Sequence, residues 1–252
     1  MKIQYCSDLH LEFQANKNYL KQFPLKAEGE ILLLAGDIVL FKTMKEQDDF
    51  LNFCSDNFEA TYWIPGNHEY YQYDLADVKT PLYESIKENV FLLNNQTITY
   101  KNVQVVFSTL WSHIPPQHEW EVQKNVNDFY QIKNKGKKIT ATDFNALHKT
   151  DLEFLQTALA KPAGKQRIVI THHVPTLMHY PEQYKNSNIN SAFAVELFYT
   201  IESSNATHWI YGHHHCNIPA FKIGNTTMLT NQLGYVQQNE HQLFNPAAII
   251  EI

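Results

Sequence analysis

A single arginine, Arg167, serves the whole chain of 252 residues. Arginine is the usual bidentate grip on phosphate. Any phosphate bound by this chain needs another positive partner, and metal ions are the obvious substitute. Basic charge is scarce in general: 20 lysines and arginines face 26 acids, for a net charge of −6. That balance argues against tight, non-specific nucleic-acid binding, which demands a cationic face. The densest basic stretch, Lys135-Gly136-Lys137-Lys138, reads as a solvated loop. Cysteine is also sparse. Cys6, Cys54 and Cys216 are widely spaced and form neither a disulfide framework nor a C-x-x-C pair. Cys6 and Cys54 read as small core residues, while Cys216 follows a histidine cluster directly. No apolar stretch is long enough to span a membrane, and the opening Met1-Lys2-Ile3-Gln4-Tyr5 has no signal-peptide core. The expectation is a soluble, cytoplasmic protein.

Apolar residues, at 44%, suffice for one large α/β domain covering residues 1–252. Thirteen histidines are the compositional anomaly, and three of them are consecutive, His213-His214-His215. Taken in order, the first ninety or so residues alternate strand and helix. Lys2 to Cys6, Glu30 to Ala35 and Ala60 to Ile64 read as strands; Lys45 to Asn57 and Leu75 to Asn89 read as helices. Short strands follow at 91–93, 96–100 and 103–108, with a tight turn at Lys101-Asn102, and this part should be antiparallel. Residues 110–136 have no clean period and read as a long, partly structured loop on the functional face. Thr140 to Ala160 reads as an amphipathic helix capped by Thr142 or Asp143. Gln166 to Thr171 and Thr207 to Tyr211 read as strands, Ala192 to Ser203 as a helix, and 176–191 as a second rim loop. Gly224-Asn225 should turn a hairpin, and Ala247 to Ile252 should close the chain as a strand.

Five of the apolar runs end in polar clusters: Asp8/His10, Asp37, Asn67/His68, His172 and His213/His215. In open α/β sheets, sites form at the carboxyl ends of strands. In Asp8-x-His10, alternate residues leaving a strand point the same way, so both can reach one ion. His213-x-His215 has the same geometry, and its two rings could serve one ion or be split between neighbours. Asp37 offers two oxygens with which to bridge two cations.

These five motifs, in this order, resemble those of the calcineurin-like metallophosphoesterases: Asp8-x-His10, Gly36-Asp37, Gly66-Asn67-His68-Glu69, His172, and Gly212-His213-x-His215. The resemblance implies a four-layer α/β/β/α sandwich with a dinuclear metal site between the sheets. It implies one ion held by Asp8, His10, Asp37 and His215, and another held by Asp37, Asn67, His172 and His213. His68 would then face the substrate as the general acid. The pattern departs from the phosphoprotein phosphatase branch, because Gly36-Asp37-Ile38-Val39-Leu40 carries no phosphate-gripping arginine. It is closer to the bacterial phosphodiesterase and small phosphohydrolase branches. His172 and His173 are adjacent, alternation lets only one face the metals, and the family's H-H-x-P pattern points to His172.

The function implied is metal-dependent hydrolysis of a small phosphodiester or phosphomonoester. Two dications against two carboxylates and a bridging hydroxide leave a surplus of roughly +1, which attracts phosphate without arginine. Bound metal brings the pKa of water towards ~7, so hydroxide can attack phosphorus while His68 protonates the leaving group. Manganese is the expected metal, with iron, zinc or nickel as alternatives. Asn67, His68 and His214 are the expected substrate contacts. Glu69 either orients His68 or supplies a helix N-terminal charge. His113, His118, His148, His208 and His241 read as loop, surface or satisfied histidines. The alternatives are a nuclease of the same family and a metal-free scaffold, although no ligand of the pattern is missing.

Overall fold

Alternating side chains on short apolar runs build a two-sheet core. The structure is a computed structural model and describes residues 1–162 and 166–252. The chain begins β1 (Lys2–Cys6), α1 (Gln14–Gln22), β2 (Ile31–Ala35), α2 (Asp48–Asn57), β3 (Ala60–Ile64), β4 (Tyr83–Lys87) and β5 (Val90–Leu93). It continues β6 (Gln96–Tyr100), β7 (Val103–Ser108), α3 (Glu119–Asn125), α4 (Asp128–Gln131), β8 (Lys133–Asn134), β9 (Lys137–Lys138) and α5 (Ala141–Ala160). It closes β10 (Gln166–Thr171), α6 (Phe198–Ser203), β11 (His208–Ile210), β12 (Phe221–Ile223), β13 (Thr226–Leu229) and β14 (Ile249–Glu251). Two six-stranded mixed sheets result, ordered β14-β1-β2-β3-β5-β4 and β12-β13-β11-β10-β7-β6.

β2 is buried along its whole length. Its residues Ile31, Leu33 and Ala35 point between the sheets, against Val105, Phe107, Ile168 and Ile170 of the second sheet. Leu32 and Leu34 point the other way, onto Leu51 and Cys54 of α2. The second sheet repeats the division: Val169 and Trp209 face outward onto Leu155 and Leu159 of α5 and Ile201 of α6. Strands buried on both faces read as continuous apolar runs, as these do. The outcome is the four-layer α/β/β/α sandwich, with helices on the outer face of each sheet.

Four expectations about local structure are corrected. Leu75 to Asn89 is not a helix: a turn at Leu75–Asp77 gives way to β4, which pairs antiparallel with β5. Pro81 cannot continue a helix, and β5 offers a sheet edge to pair with. Residues 91–108 do not form one antiparallel unit. β5 lies parallel to β3, and β6–β7 is an antiparallel hairpin in the other sheet, with β7 parallel to β10. The chain changes sheets at Asn94-Asn95, where Asn94 Oδ1 accepts from Thr109 N at 2.7 Å and Asn95 Nδ2 donates to Asp151 Oδ1 at 2.7 Å. Helix α6 starts at Phe198 and not at Ala192, because Val174 forms a parallel bridge with Ala194, donating to Phe193 O and accepting from Val195 N. The cap of α5 is Thr140, with Asp143 as the reciprocal partner of a capping box.

Residues 110–136 are more ordered than a loop. α3 and α4 lie in this stretch, and Trp111, Val122 and Phe129 pack with Tyr70 and Phe144 in a core of their own. Trp120 and Tyr130 are exposed. Arg167 sits inside β10, fully buried, and donates to Gln104 Oε1 and to the carbonyls of Leu159, Lys161 and Ser204. It is a structural tie between β10, β7 and the segments that follow α5 and α6. Lys135, Lys137 and Lys138 are exposed at the β8–β9 turn, as expected.

Candidate metal centre

β1, β2 and β3 are mutually parallel in one sheet, and β10 and β11 are parallel in the other. Their carboxyl ends carry all seven expected ligands. The backbone turns sharply there. Asp8, His10, Asp37, His213 and His215 all have positive φ, at 55°, 47°, 55°, 81° and 51°. Left-handed backbone costs energy for any residue but glycine and collects at functional sites. Two glycines let the loops close up. A Cβ on Gly66 would lie 2.2 Å from Asp37 Oδ1, and one on Gly36 (φ +88°) would lie 2.4 Å from His172 Nδ1.

The seven residues form two groups that meet at Asp37. Asp8, His10, Asp37 and His215 bring ligand atoms together in one, and Asp37, His172 and His213 do so in the other. Asp37 Oδ2 lies 3.8 Å from His10 Nε2, while Oδ1 lies 3.5 Å from His172 Nε2. Each oxygen therefore addresses one group, the arrangement of a bridging carboxylate. Asn67 joins the second group through Oδ1, 3.2 Å from His172 Nε2. Its amide nitrogen is turned away by Asp128 Oδ1 at 2.8 Å, and Tyr71 also donates to that oxygen.

The far nitrogens of three rings are tied down. His10 Nδ1 meets Glu12 Oε1 at 3.0 Å, His215 Nδ1 meets Glu240 Oε2 at 2.7 Å, and His172 Nδ1 meets Ala35 O at 2.9 Å. A ring that donates from Nδ1 presents the lone pair of Nε2 to the site. Those lone pairs are crowded: His10 Nε2 is 2.9 Å from His215 Nε2, and His172 Nε2 is 3.0 Å from His213 Nδ1. Facing lone pairs in a buried site repel unless a cation takes them. The buried carboxylates of Asp8 and Asp37 add the matching negative charge. This donor set fits divalent ions.

His172 is turned into the centre. His173 is packed against Trp111 and His213, with neither ring nitrogen bonded among the described residues. His68 stands beside the two groups. Its Nδ1 meets Glu12 Oε1 at 2.9 Å, its Nε2 meets Tyr235 OH at 3.2 Å, and Tyr71 stacks on it at 4.1 Å between centroids. Burial lowers its pKa, but the Asp37 and Glu12 carboxylates outweigh burial and the net shift is upward. His214 lines the same cavity of about 280 Å³, yet its Nδ1 is engaged by Gln232 Nε2 at 2.9 Å. Burial pushes the His214 pKa down to about 4, so the ring is neutral.

Residues 1–217 match the model of the calcineurin-like phosphoesterases. The chain belongs to that family. It is also 32% identical to an uncharacterized protein of Acanthamoeba polyphaga mimivirus, over 99% of this chain and 96% of the other. In fold it is similar to the phosphopantetheinyl hydrolase of Mycobacterium tuberculosis, with a TM-score of 0.69 over 96% of this chain and 92% of that one. Sequence identity there is 16%, so the likeness speaks for the fold alone. Family membership, with the donor clusters, makes the chain a metal-dependent phosphoester hydrolase.

Glu69 plays neither of its expected roles. Its carboxylate accepts from Asp37 N, Ile38 N, Gly66 N and Trp63 Nε1, so it clamps the Asp37 loop to the Gly66 turn. Burial and the Asp37 charge raise its pKa, against the hydrogen bonds from Ile38 N and Gly66 N and the His172 charge. Four residues of the site went unread in the sequence: Glu12, Asp128, Tyr235 and Glu240. Only Glu12 left a signal there, because it continues the alternation Asp8-x-His10-x-Glu12. None of the described helices is long and apolar enough to cross a membrane.

Proposed function

We propose that this protein hydrolyses a small phosphodiester or phosphomonoester at a dinuclear centre. One ion would be held by Asp8, His10, Asp37 and His215, and the other by Asp37, Asn67, His172 and His213. Manganese is the expected metal. When bound, the ions supply Lewis acidity, offsetting charge on phosphoryl oxygens and acidifying water. The observation that carries this reading is the split of the Asp37 carboxylate between two histidine groups.

The chain's own residues do the rest. Asn67 contributes a neutral oxygen, held in place by Asp128, and so preserves the positive surplus. His68 keeps its Nδ1 proton on Glu12 and offers a proton from Nε2 to the leaving alkoxide. His214 and Asn67 contact the substrate from the cavity wall. The protein acts as one domain in the cytoplasm, a reading supported by its three free cysteines.

The test is a metal-reconstituted assay that compares a nitrophenyl diester with the monoester, alongside His68→Ala. We expect turnover with metal and none after chelation. The His68→Ala protein should retain its metals and lose most activity on alkyl esters. Metal loss in that variant would show His68 to be a ligand, and a protein that binds no divalent ion would end the enzymatic reading.

A further inference from the structure

We propose that a second cleft, behind His68, is the leaving-group subsite and takes an uncharged, hydrogen-bonding alcohol of the nucleoside or sugar kind. The proposal rests on His68 as general acid. The metal-side cavity meets a second one of about 540 Å³, and His68, Tyr71, Asn127 and Tyr235 line both. A proton leaving His68 goes to the departing oxygen, so the departing group lies on the His68 side of the phosphoryl position. Tyr235, which meets His68 Nε2 at 3.2 Å, lines the second cleft as well, so a group departing there can extend into that cleft.

Its chemistry is unusual for a phosphoester site. Half of its lining residues are amides, and no lysine or arginine lines it among the described residues. Its one carboxylate, Glu12, is held by His10 and His68. The cation at the rim, Lys42, donates to Gln72 Oε1 at 3.0 Å. Asn16 is committed to the carbonyls of Leu9 and Gly234. Asn127, Gln131, Gln237 and Gln238 remain to face a ligand. Each amide offers both donors and an acceptor, which suits hydroxyls and heterocycle edges, and none supplies the positive charge that would favour a second phosphate. Phe13, Tyr71 and Tyr235 add flat apolar faces. A site built to hydrogen-bond its ligand rejects an analogue that lacks the bonding groups.

The test uses the metal-loaded protein hydrolysing a nitrophenyl phosphodiester, with three alcohol-side probes as inhibitors: adenosine, benzyl alcohol and benzylamine. Adenosine should compete at a concentration at least roughly tenfold lower than either of the others. Gln131→Leu should weaken adenosine by roughly five- to tenfold and leave benzyl alcohol unchanged. Gln237→Leu, on an exposed turn, repeats the test away from any packing. Failure to hydrolyse either the nitrophenyl diester or the monoester would overturn the hydrolase reading itself. Turnover with adenosine no better than benzyl alcohol, with benzylamine the tightest probe, or with both variants unchanged towards adenosine, would overturn the subsite alone.

Discussion

Glu12→Gln should slow hydrolysis of poor leaving groups about tenfold and leave the metals in place. One oxygen of Glu12 receives both His10 Nδ1 at 3.0 Å and His68 Nδ1 at 2.9 Å. Burial raises the Glu12 pKa, but these two hydrogen bonds outweigh it and bring it down to about 2, so the group is ionised at working pH. A glutamine oxygen can still accept from both rings. The substitution therefore removes charge while keeping orientation. Hydrogen bonds to a charged group contribute about 1.5–3 kcal/mol and neutral ones about 0.5–1.5 kcal/mol. The difference, about 1–1.5 kcal/mol, is roughly tenfold in rate. It should be felt where the imidazolium of His68 must carry a proton to an alkoxide, and hardly at all with nitrophenolate, which leaves without one. Glu12→Ala frees both rings and should cost more, of the order of 10–100-fold, with metal affinity weakened through His10. The assay is kcat/KM for an alkyl and a nitrophenyl ester, with metal content measured on the same samples. Equal slowing of both esters by Glu12→Gln would refute the coupling to the proton donor. An Ala variant as active as wild type would refute any role for the Glu12 pair.

Gly66→Ala forces a Cβ against Asp37 Oδ1 at 2.2 Å and the His172 ring at 2.6 Å; the purified variant should hold far less divalent metal by elemental analysis, and full loading would contradict the packing argument. Arg167→Met strips donors from three buried carbonyls and Gln104; urea unfolding should show a loss of about 2–4 kcal/mol, with kcat per bound metal intact, whereas lost turnover in a fully loaded variant would return Arg167 to the site. Burial raises the Asp151 pKa to about 6 against the hydrogen bonds from Asn95 and Trp111. The folded protein then binds more protons than the unfolded chain between about pH 4 and 6, so this group's contribution falls as pH rises through that window, by about 3 kcal/mol in all. Asp151→Asn should flatten that fall in Tm against pH, and parallel curves for the two proteins would refute it.

The central strands were legible because they are buried on both faces. Ile31 to Ala35 has no choice but to be a continuous apolar run, with alternate residues serving two different cores. The failures lie where pairing across the fold outranked the local pattern. Tyr83 to Lys87 has apolar spacing that a helix could use, but the free edge of β5 claimed it as a strand. Ala194 and Val195 were likewise claimed by a bridge to Val174. Both decisions are made by partners distant in the chain, and periodicity does not register them.

The site divides in the same way. Its inner ligand groups were readable because each sits one to five residues past a strand end, where the topology must deliver it. The carboxylates that hold those groups were not. Glu69 adjoins His68 in the chain, yet it serves the backbone of Asp37 and Ile38. The acid that meets His68 is Glu12, 56 residues upstream. Glu240 reaches His215 from 25 residues away, and Asp128 reaches Asn67 from 61. Loops that turn through left-handed backbone at Asp8, His10 and Asp37 reverse direction within a few residues. Sequence neighbours are thereby aimed apart, and supporting acids arrive from whichever loop crosses behind. In a centre built this way, a carboxylate's role follows from the N–H it faces in space. The pairing of Glu12 with His68 is therefore the feature of this site most in need of the glutamine test.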